Sequence, residues 1–245
     1  MIRLDKYLAD AGIGTRSQVK QYLKKGMVTV NGQIQKRPEQ KVTPGEDLIL
    51  FQGKAVAYTK YEYYMLNKPA GCVSATRDSE HKTVLDYIDS RRDDLFPAGR
   101  LDRDTEGLLV ITNDGALSHR LLSPAHHVPK SYFVRVSGCV REDAIDLCRL
   151  GLDIGDEKPT KPALLEILSA GESSELLLTI TEGRYHQIKR MCHVLGHPLE
   201  YLKRVSFGPL ALDDSLAPGQ YRPLTPEEIA QLKNEENICC IIKKQ

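Results

Sequence analysis

Three segments of the chain gather the residue types that bond-making chemistry needs. Gly99-Arg100-Leu101-Asp102-Arg103-Asp104-Thr105-Glu106-Gly107-Leu108-Leu109 sets three carboxylates within five residues, bounded by glycines and feeding an apolar stretch. Carboxylates so closely spaced suit acid/base or metal chemistry. In an extended segment Asp102, Asp104 and Glu106 share one face, where the two arginines can equally neutralise them as a salt-bridge loop. Pro129-Lys130-Ser131-Tyr132-Phe133-Val134-Arg135-Val136 is β-prone, with alternating character. Glu182-Gly183-Arg184-Tyr185-His186-Gln187-Ile188-Lys189-Arg190-Met191 reads as a helix start. There Ile188, Met191, Cys192 and Leu195 form a core stripe and leave His186, Lys189, Arg190 and His193 opposite. With Arg184, Lys203 and Arg204 on either side, that face is a cationic patch suited to a polyanion.

Elements that would position these segments are legible around them. Apolar runs predict strands at Tyr63 to Leu66, Leu108 to Thr112, Tyr132 to Val136, Ala163 to Leu168 and Leu176 to Thr181. Helical spacing fits Val84 to Ser90, Ala116 to Leu122, Glu142 to Arg149, Tyr185 to Leu195 and Pro226 to Lys233. Strands and helices mix without a strict βαβ rhythm, which favours α+β with a largely antiparallel sheet over a doubly wound fold.

The front of the chain is different. Leu4, Tyr7, Leu8 and Ala11 repeat at helical spacing; Thr15 with Gln18 forms a capping box for a second helix, which Gly26 ends. Arg16, Lys20 and Lys24 share the solvent face of that second helix. Val28-Thr29-Val30-Asn31-Gly32-Gln33-Ile34 then carries the Asn-Gly signal of a hairpin. Residues 51 to 60 read as a linker.

Composition is that of a folded globular chain, with 41% hydrophobic and 27% charged residues among 245. No run approaches the roughly 18 apolar residues of a membrane span, and the scattered charges of Met1-Ile2-Arg3-Leu4-Asp5 do not suit a signal peptide, so a cytoplasmic protein is expected. Six cysteines lack disulfide or CxxC spacing and are expected as thiols. Cys192, His193 and His197 look like half of a zinc site, but no second pair of ligands has matching spacing, and no metal is expected. The formal net charge of +1 hides a division. Residues 1 to 58 hold ten Lys or Arg against five Asp or Glu, a net of +5, and the remainder holds 24 against 28, a net of −4.

The front segment resembles the S4-type RNA-binding domain through Arg3-Leu4-Asp5-Lys6-Tyr7-Leu8, Thr15-Arg16-Ser17 and Gly26-Met27-Val28-Thr29-Val30-Asn31-Gly32. The three chemical segments together resemble the pseudouridine synthases, specifically the RsuA-type family acting on ribosomal RNA. Gly99-Arg100-Leu101-Asp102 with Thr105-Glu106-Gly107-Leu108 matches that family's catalytic-aspartate motif, Lys130-Ser131-Tyr132 its second motif, and Gly183 to Arg190 its third. The RsuA branch is further matched by Met65-Leu66-Asn67-Lys68-Pro69, His81-Lys82-Thr83-Val84-Leu85, Ser123-Pro124-Ala125-His126-His127 and Pro218 to Leu224.

The resemblance implies Asp102 as nucleophile, Tyr132 as the active-site tyrosine and Lys189 as the basic partner of the aspartate. Leu202 is then the apolar residue under the base, and Arg100, Arg103, Arg184, His186, Gln187 and Arg190 contact substrate. Arg3, Lys6, Arg16, Lys20 and Lys24 become the RNA-binding cations of the front domain. It further implies an S4-like domain over 1–58, a catalytic domain over 59–233 and a tail over 234–245. The expected activity is isomerisation of one uridine of small-subunit ribosomal RNA, free or in an assembling particle, by a monomer needing neither metal nor organic cofactor. Detaching uracil at N1 and rejoining it at C5 needs an ionised carboxylate, and the target must leave the base stack. Attack at C1′ and prior removal of a ribose proton are both compatible first steps. Large-subunit RNA is the alternative substrate. A non-catalytic ribosome-assembly factor and a metal-dependent nuclease built on Asp102, Asp104 and Glu106 are the rivals from other classes.

Overall fold

The computed structural model describes residues 1–90 and 92–234. Their packing forms two compact units, Met1–Glu62 with Asp89–Leu95, and Tyr63–Ile88 with the chain from Phe96 onward.

In the first unit, β1 (Ile2–Arg3) leads into α1 (Leu4–Asp10) and then α2 (Arg16–Lys24). The start of α2 is set by the expected capping box: Thr15 Oγ1 accepts from the Gln18 N–H at 3.3 Å while Gln18 Oε1 accepts from the Thr15 N–H at 2.9 Å. Val19 and Leu23 of α2 join Leu4, Tyr7 and Leu8 of α1 in one core. Asn31 and Gly32 take φ of 50° and 81° between β2 (Val28–Val30) and β3 (Gln33–Ile34), the positive values that a two-residue hairpin turn needs. β4 (Lys41–Val42) pairs with β1. β5 (Ile49–Phe51) and β6 (Lys54–Ala55) complete a sheet of order β3-β2-β5-β6.

Residues 51–60 are therefore not a linker. Gln52 and Gly53, with φ of 50° and 79°, form a second tight turn. Beyond it, Tyr58 stacks on Tyr7 at 4.8 Å, and the Tyr7 hydroxyl donates to the Val56 carbonyl at 2.8 Å. A Gln-Gly turn lacks the composition signal of Asn-Gly, which is why the pattern reads as loop.

The second unit begins with β7 (Tyr63–Lys68), a 3-10 turn (Val84–Tyr87), β8 (Phe96–Pro97) and β9 (Glu106–Thr112). It continues through α3 (Gly115–Leu122), β10 (Lys130–Ser137), α4 (Asp143–Leu150), β11 (Leu164–Ser169) and β12 (Ser173–Ile180). It closes with α5 (Gln187–Val194), β13 (Leu199–Phe207), β14 (Leu210–Ala211), β15 (Tyr221–Pro223) and α6 (Pro226–Lys233). The sheet runs β11-β12-β10-β13-β9-β7-β15, with β14 on β13 and β8 on β9. Its pairings are antiparallel except β13 with β9, so the fold is α+β with a mixed, largely antiparallel sheet, as expected.

Two helices differ from expectation. The segment expected as a helix over Val84 to Ser90 is one 3-10 turn, because Ile88 is extended and Asp89–Leu95 pack with the first unit, where Arg92 pairs with Asp94 at 2.8 Å. α5 starts at Gln187 rather than Tyr185, because His186 takes a left-handed conformation, φ 47° and ψ 35°. Of the expected tail, residues 235–245 lie outside the described residues. No described helix is long and apolar enough to cross a membrane.

The parallel pairing of β13 with β9 fixes one glycine. Gly107 has φ of 103°, and a Cβ there would lie 2.2 Å from the Arg204 carbonyl oxygen. Gly107→Ala is expected to lower stability by roughly 2–4 kcal/mol, combining backbone strain with overpacking against an immobile neighbour. A urea unfolding midpoint equal to that of the unsubstituted chain would contradict this.

Candidate active site

β9 begins where the carboxylate-rich loop ends, with β13 beside it in the sheet and β10 beyond β13. Register places Tyr132 of β10 opposite Leu178 on β12 and Arg204 on β13, with Leu202 two residues along, opposite Val134. These strands and the start of α5 line a cleft. Asp102, Tyr132 and Lys189 all line it, with Arg100, Arg184, His186, Gln187, Leu202, Thr105 and Ile180. Arg190 and Arg103 are not among its lining residues, although Arg103 borders an adjoining cleft. Tyr132 is buried and its hydroxyl makes no hydrogen bond among the described residues. Thr105 Oγ1, also buried, has no partner either.

Lys189 organises the charges. Its Nζ lies 3.3 Å from Asp102 Oδ2 and donates to both Asp104 oxygens, at 2.6 and 2.8 Å. Desolvation works to lower the Lys189 pKa, but the pairs with Asp104 and Asp102 outweigh it and hold the ammonium above the usual lysine value. Desolvation likewise works to raise the Asp104 pKa, and Lys189 reverses it, leaving that carboxyl below its usual range. His186 Nε2 stands 3.7 Å from Asp102 Oδ2. The three carboxylates do not converge as an extended segment would have them. The Thr105 N–H donates to the Asp102 carbonyl at 3.1 Å in a turn, and Glu106 accepts from the Tyr201 hydroxyl at 2.6 Å. No group of three His, Cys, Asp or Glu side chains suited to a metal occurs among the described residues.

Several residues outside the three motifs hold this geometry. Lys68, fully buried, donates to the carbonyls of Thr105 at 2.8 Å, Pro69 at 3.0 Å and Arg103 at 3.2 Å, so one ammonium ties β7 to the carboxylate loop. Ser74 Oγ donates to the Leu101 carbonyl at 2.8 Å and accepts from the Leu101 N–H at 3.0 Å, fixing the residue before Asp102. A buried lysine inside a strand, and a serine 27 residues from its partner in sequence, leave no signal in local spacing.

The cationic patch is thinner than the sequence suggests. Arg184 donates to the Lys158 and Pro159 carbonyls and pairs with Asp156 and Glu182; Arg190 donates to the Ile154 carbonyl and pairs with the same Asp156. Hydrogen bonds from Arg190 and Arg184 hold the Asp156 carboxyl below the usual carboxylate range. Arg204 is buried, donating from Nε to the Leu108 carbonyl at 2.7 Å. Gln187 is buried too; it donates to Glu182 and accepts from the Arg184 N–H, so it braces the loop. Arg100, by contrast, is exposed, and its guanidinium has no partner among the described residues.

In the first unit, Arg3 pairs with Asp5 at 2.8 Å and Lys6 with Asp10 at 2.9 Å. Arg16, Lys20 and Lys24 are exposed along α2 without a side-chain ion pair or hydrogen bond among the described residues. Three cations along one helix face make a continuous strip of positive charge.

A basic unit of this form and a desolvated carboxylate–ammonium cleft on a mixed sheet define the class as an enzyme that works on RNA. Residues 62–194 match the family model described as RNA pseudouridylate synthase, and residues 2–48 match that of the S4 domain. An uncharacterized RNA pseudouridine synthase of Bacillus subtilis, YtzG, is 47% identical over 96% of this chain and 99% of its own length. The ribosomal small subunit pseudouridine synthase A of Haemophilus influenzae is 42% identical over 94% and 99% respectively. A crystal structure of a pseudouridylate synthase superposes with a TM-score of 0.67 at 41% identity, covering 95% of this chain and all of that one. The chain belongs to the RNA pseudouridylate synthase family, as a member of RsuA type with an S4 domain. It is an isomerase.

Lys130, two residues before Tyr132, yields a test of the fold behind the cleft. Its Nζ donates to the Val128 carbonyl at 2.8 Å, and burial, aided by Arg204, pushes its pKa down to about 8. Between that value and the unfolded lysine value near 10.4, the unfolded chain binds more protons, so this group makes stability rise with pH. Below about pH 8 the full cost of the buried charge is present. Replacing it by Met removes that dependence. The stability of wild type relative to Lys130→Met is expected to rise by roughly 3 kcal/mol across this window, read by urea unfolding. A difference that does not change with pH would contradict the assignment.

Proposed function

We propose that the enzyme converts one uridine of small-subunit ribosomal RNA to pseudouridine, with Asp102 as nucleophile. The observation that carries this reading is the Asp102 carboxylate 3.3 Å from the Lys189 ammonium in a cleft walled by Tyr132 and Leu202. Supporting the substrate are relatives such as those of Haemophilus influenzae and Escherichia coli, 42% and 41% identical over nearly their whole lengths and named for the ribosomal small subunit.

In this reading the uridine is flipped out of its stack into the cleft, at a cost of a few kcal/mol that phosphate contacts offset. Lys189 sets a positive charge 3.3 Å from Asp102 and so aims it at the reacting base. The bond from N1 to C1′ breaks, the uracil turns between the Tyr132 ring and Leu202, and a bond from C5 to C1′ forms. The proton lost from C5 is balanced by one gained at N1, and the unpartnered Tyr132 hydroxyl is placed to assist its removal. Arg100 is the cation free to take a phosphate beside the flipped base. Arg184, Gln187 and Arg190 brace the loop flanking α5 through Glu182 and Asp156, with Arg184 and Gln187 also lining the cleft. Residues 1–58, through Arg16, Lys20 and Lys24, with Arg3 and Lys6 beside them, supply sequence-independent phosphate affinity to the catalytic residues 59–233. In this reading the chain acts as a monomer, in the cytoplasm where small subunits assemble.

Asp102→Asn tests the nucleophile. Carbodiimide primer extension on small-subunit RNA or particles is expected to detect pseudouridine with the wild-type chain and none with the variant, while RNA affinity changes by less than about twofold, as for an isosteric change that leaves the phosphate contacts intact. Full turnover by the variant would remove Asp102 from the mechanism; absence of product with the wild-type chain would remove the substrate.

A further inference from the structure

A second cleft, of about 540 Å³, adjoins the first through Arg100, Asp102 and His186, and is bordered by Ser74, Arg103 and Tyr185. It is large enough for a nucleotide beyond the reacting one. Tyr185 is 78% exposed, against the usual tendency of aromatic rings to bury most of their area. Its ring lies on the His186 imidazole at 3.9 Å and 17°, and among the described residues it has no other partner. His186 reaches that position through the left-handed backbone that delays α5, a conformation disfavoured for a non-glycine residue. The strain and the exposure together hold a two-ring stack at the cleft, one face of it uncovered, 3.7 Å by way of His186 from the Asp102 carboxylate. Arg100 and Arg103 supply cations at the same cleft, and neither side chain is paired with a carboxylate among the described residues; the Arg103 guanidinium meets the His81 ring.

We infer that this second cleft is a subsite for the nucleotide next to the flipped uridine, with the Tyr185 ring, backed by His186, stacking on its base. The inference rests on the RNA-uridine reading above. Stacking on an aromatic tolerates any base, so this subsite contributes hold and orientation rather than sequence choice. It also supplies a cover for the gap that a flipped uridine leaves, since an unstacked neighbour gains a new ring.

Steady-state kinetics of the full chain on small-subunit RNA decide it. Tyr185→Ala is expected to raise KM by roughly 5- to 150-fold, the range one lost base stack produces, with a much smaller change in kcat. Tyr185→Phe is expected to restore KM to within about twofold, since the ring and not the hydroxyl stacks. Ultraviolet crosslinking of the Asp102→Asn chain to the same RNA, followed by mass spectrometry of the peptide around Tyr185, is expected to find a nucleotide attached at Tyr185. That readout needs no turnover and stands even where the Ala variant folds poorly. An active wild-type chain with an Ala variant of unchanged KM, or a Phe variant as weak as Ala, or no crosslink at Tyr185, overturns the subsite and leaves the uridine reading intact. No pseudouridine from the wild-type chain overturns both.

Discussion

Lys189 is the constraint on which the site depends. One ammonium at the first turns of α5 faces two carboxylates from the loop before β9, and it binds Asp104 more closely than Asp102, at 2.6 against 3.3 Å. The consequence is a division of labour within a pair that looks redundant in sequence. Asp104, mostly exposed, anchors the lysine; Asp102 keeps an oxygen near the charge without being consumed by it. Ion pairs open to solvent contribute little to stability, so the value of such an arrangement lies in where it holds charge.

The rest of the second unit is built to keep that loop still. Lys68 gathers three carbonyls around it, Ser74 fixes Leu101 from the other side, and the Gly107 backbone approaches Arg204 too closely for any side chain. These contacts bring β7, the loop after it and β13 onto one short segment. A buried ammonium is costly unless its hydrogen-bonding capacity is met, and Lys68 meets it with backbone oxygens alone. On the other wall, the Asp156 carboxylate occupies Arg184 and Arg190 and secures the loop flanking α5.

Much of this was legible in the residues. Thr15 with Gln18, Asn31-Gly32 and the apolar runs of β7, β9, β10 and β12 announce their elements because local chemistry and tertiary packing agree there. Asp102, Tyr132 and Lys189 are recognisable as a set only through the resemblance, and the cleft does bring them together. β13 was hidden because one of its inward positions is Arg204, 3% exposed, which breaks the apolar alternation that marks a strand. Reading Arg184, Arg190 and Arg204 as a free cationic face failed for a related reason. Sequence shows that a charge is present but not the carboxylate or carbonyl that occupies it. The left-handed His186 is likewise invisible in composition, and it is what separates Tyr185 from α5.

The formal charge of +1 conceals a basic front segment and an acidic remainder. In the function proposed above, the first supplies phosphate affinity without reading sequence and the second supplies selectivity. Pseudouridine mapping of ribosomal RNA from cells with and without this chain tests that account most directly. Loss of a single site in small-subunit RNA, with large-subunit RNA unchanged, is the expected result. An unchanged small-subunit map, or a site lost from large-subunit RNA instead, would contradict it.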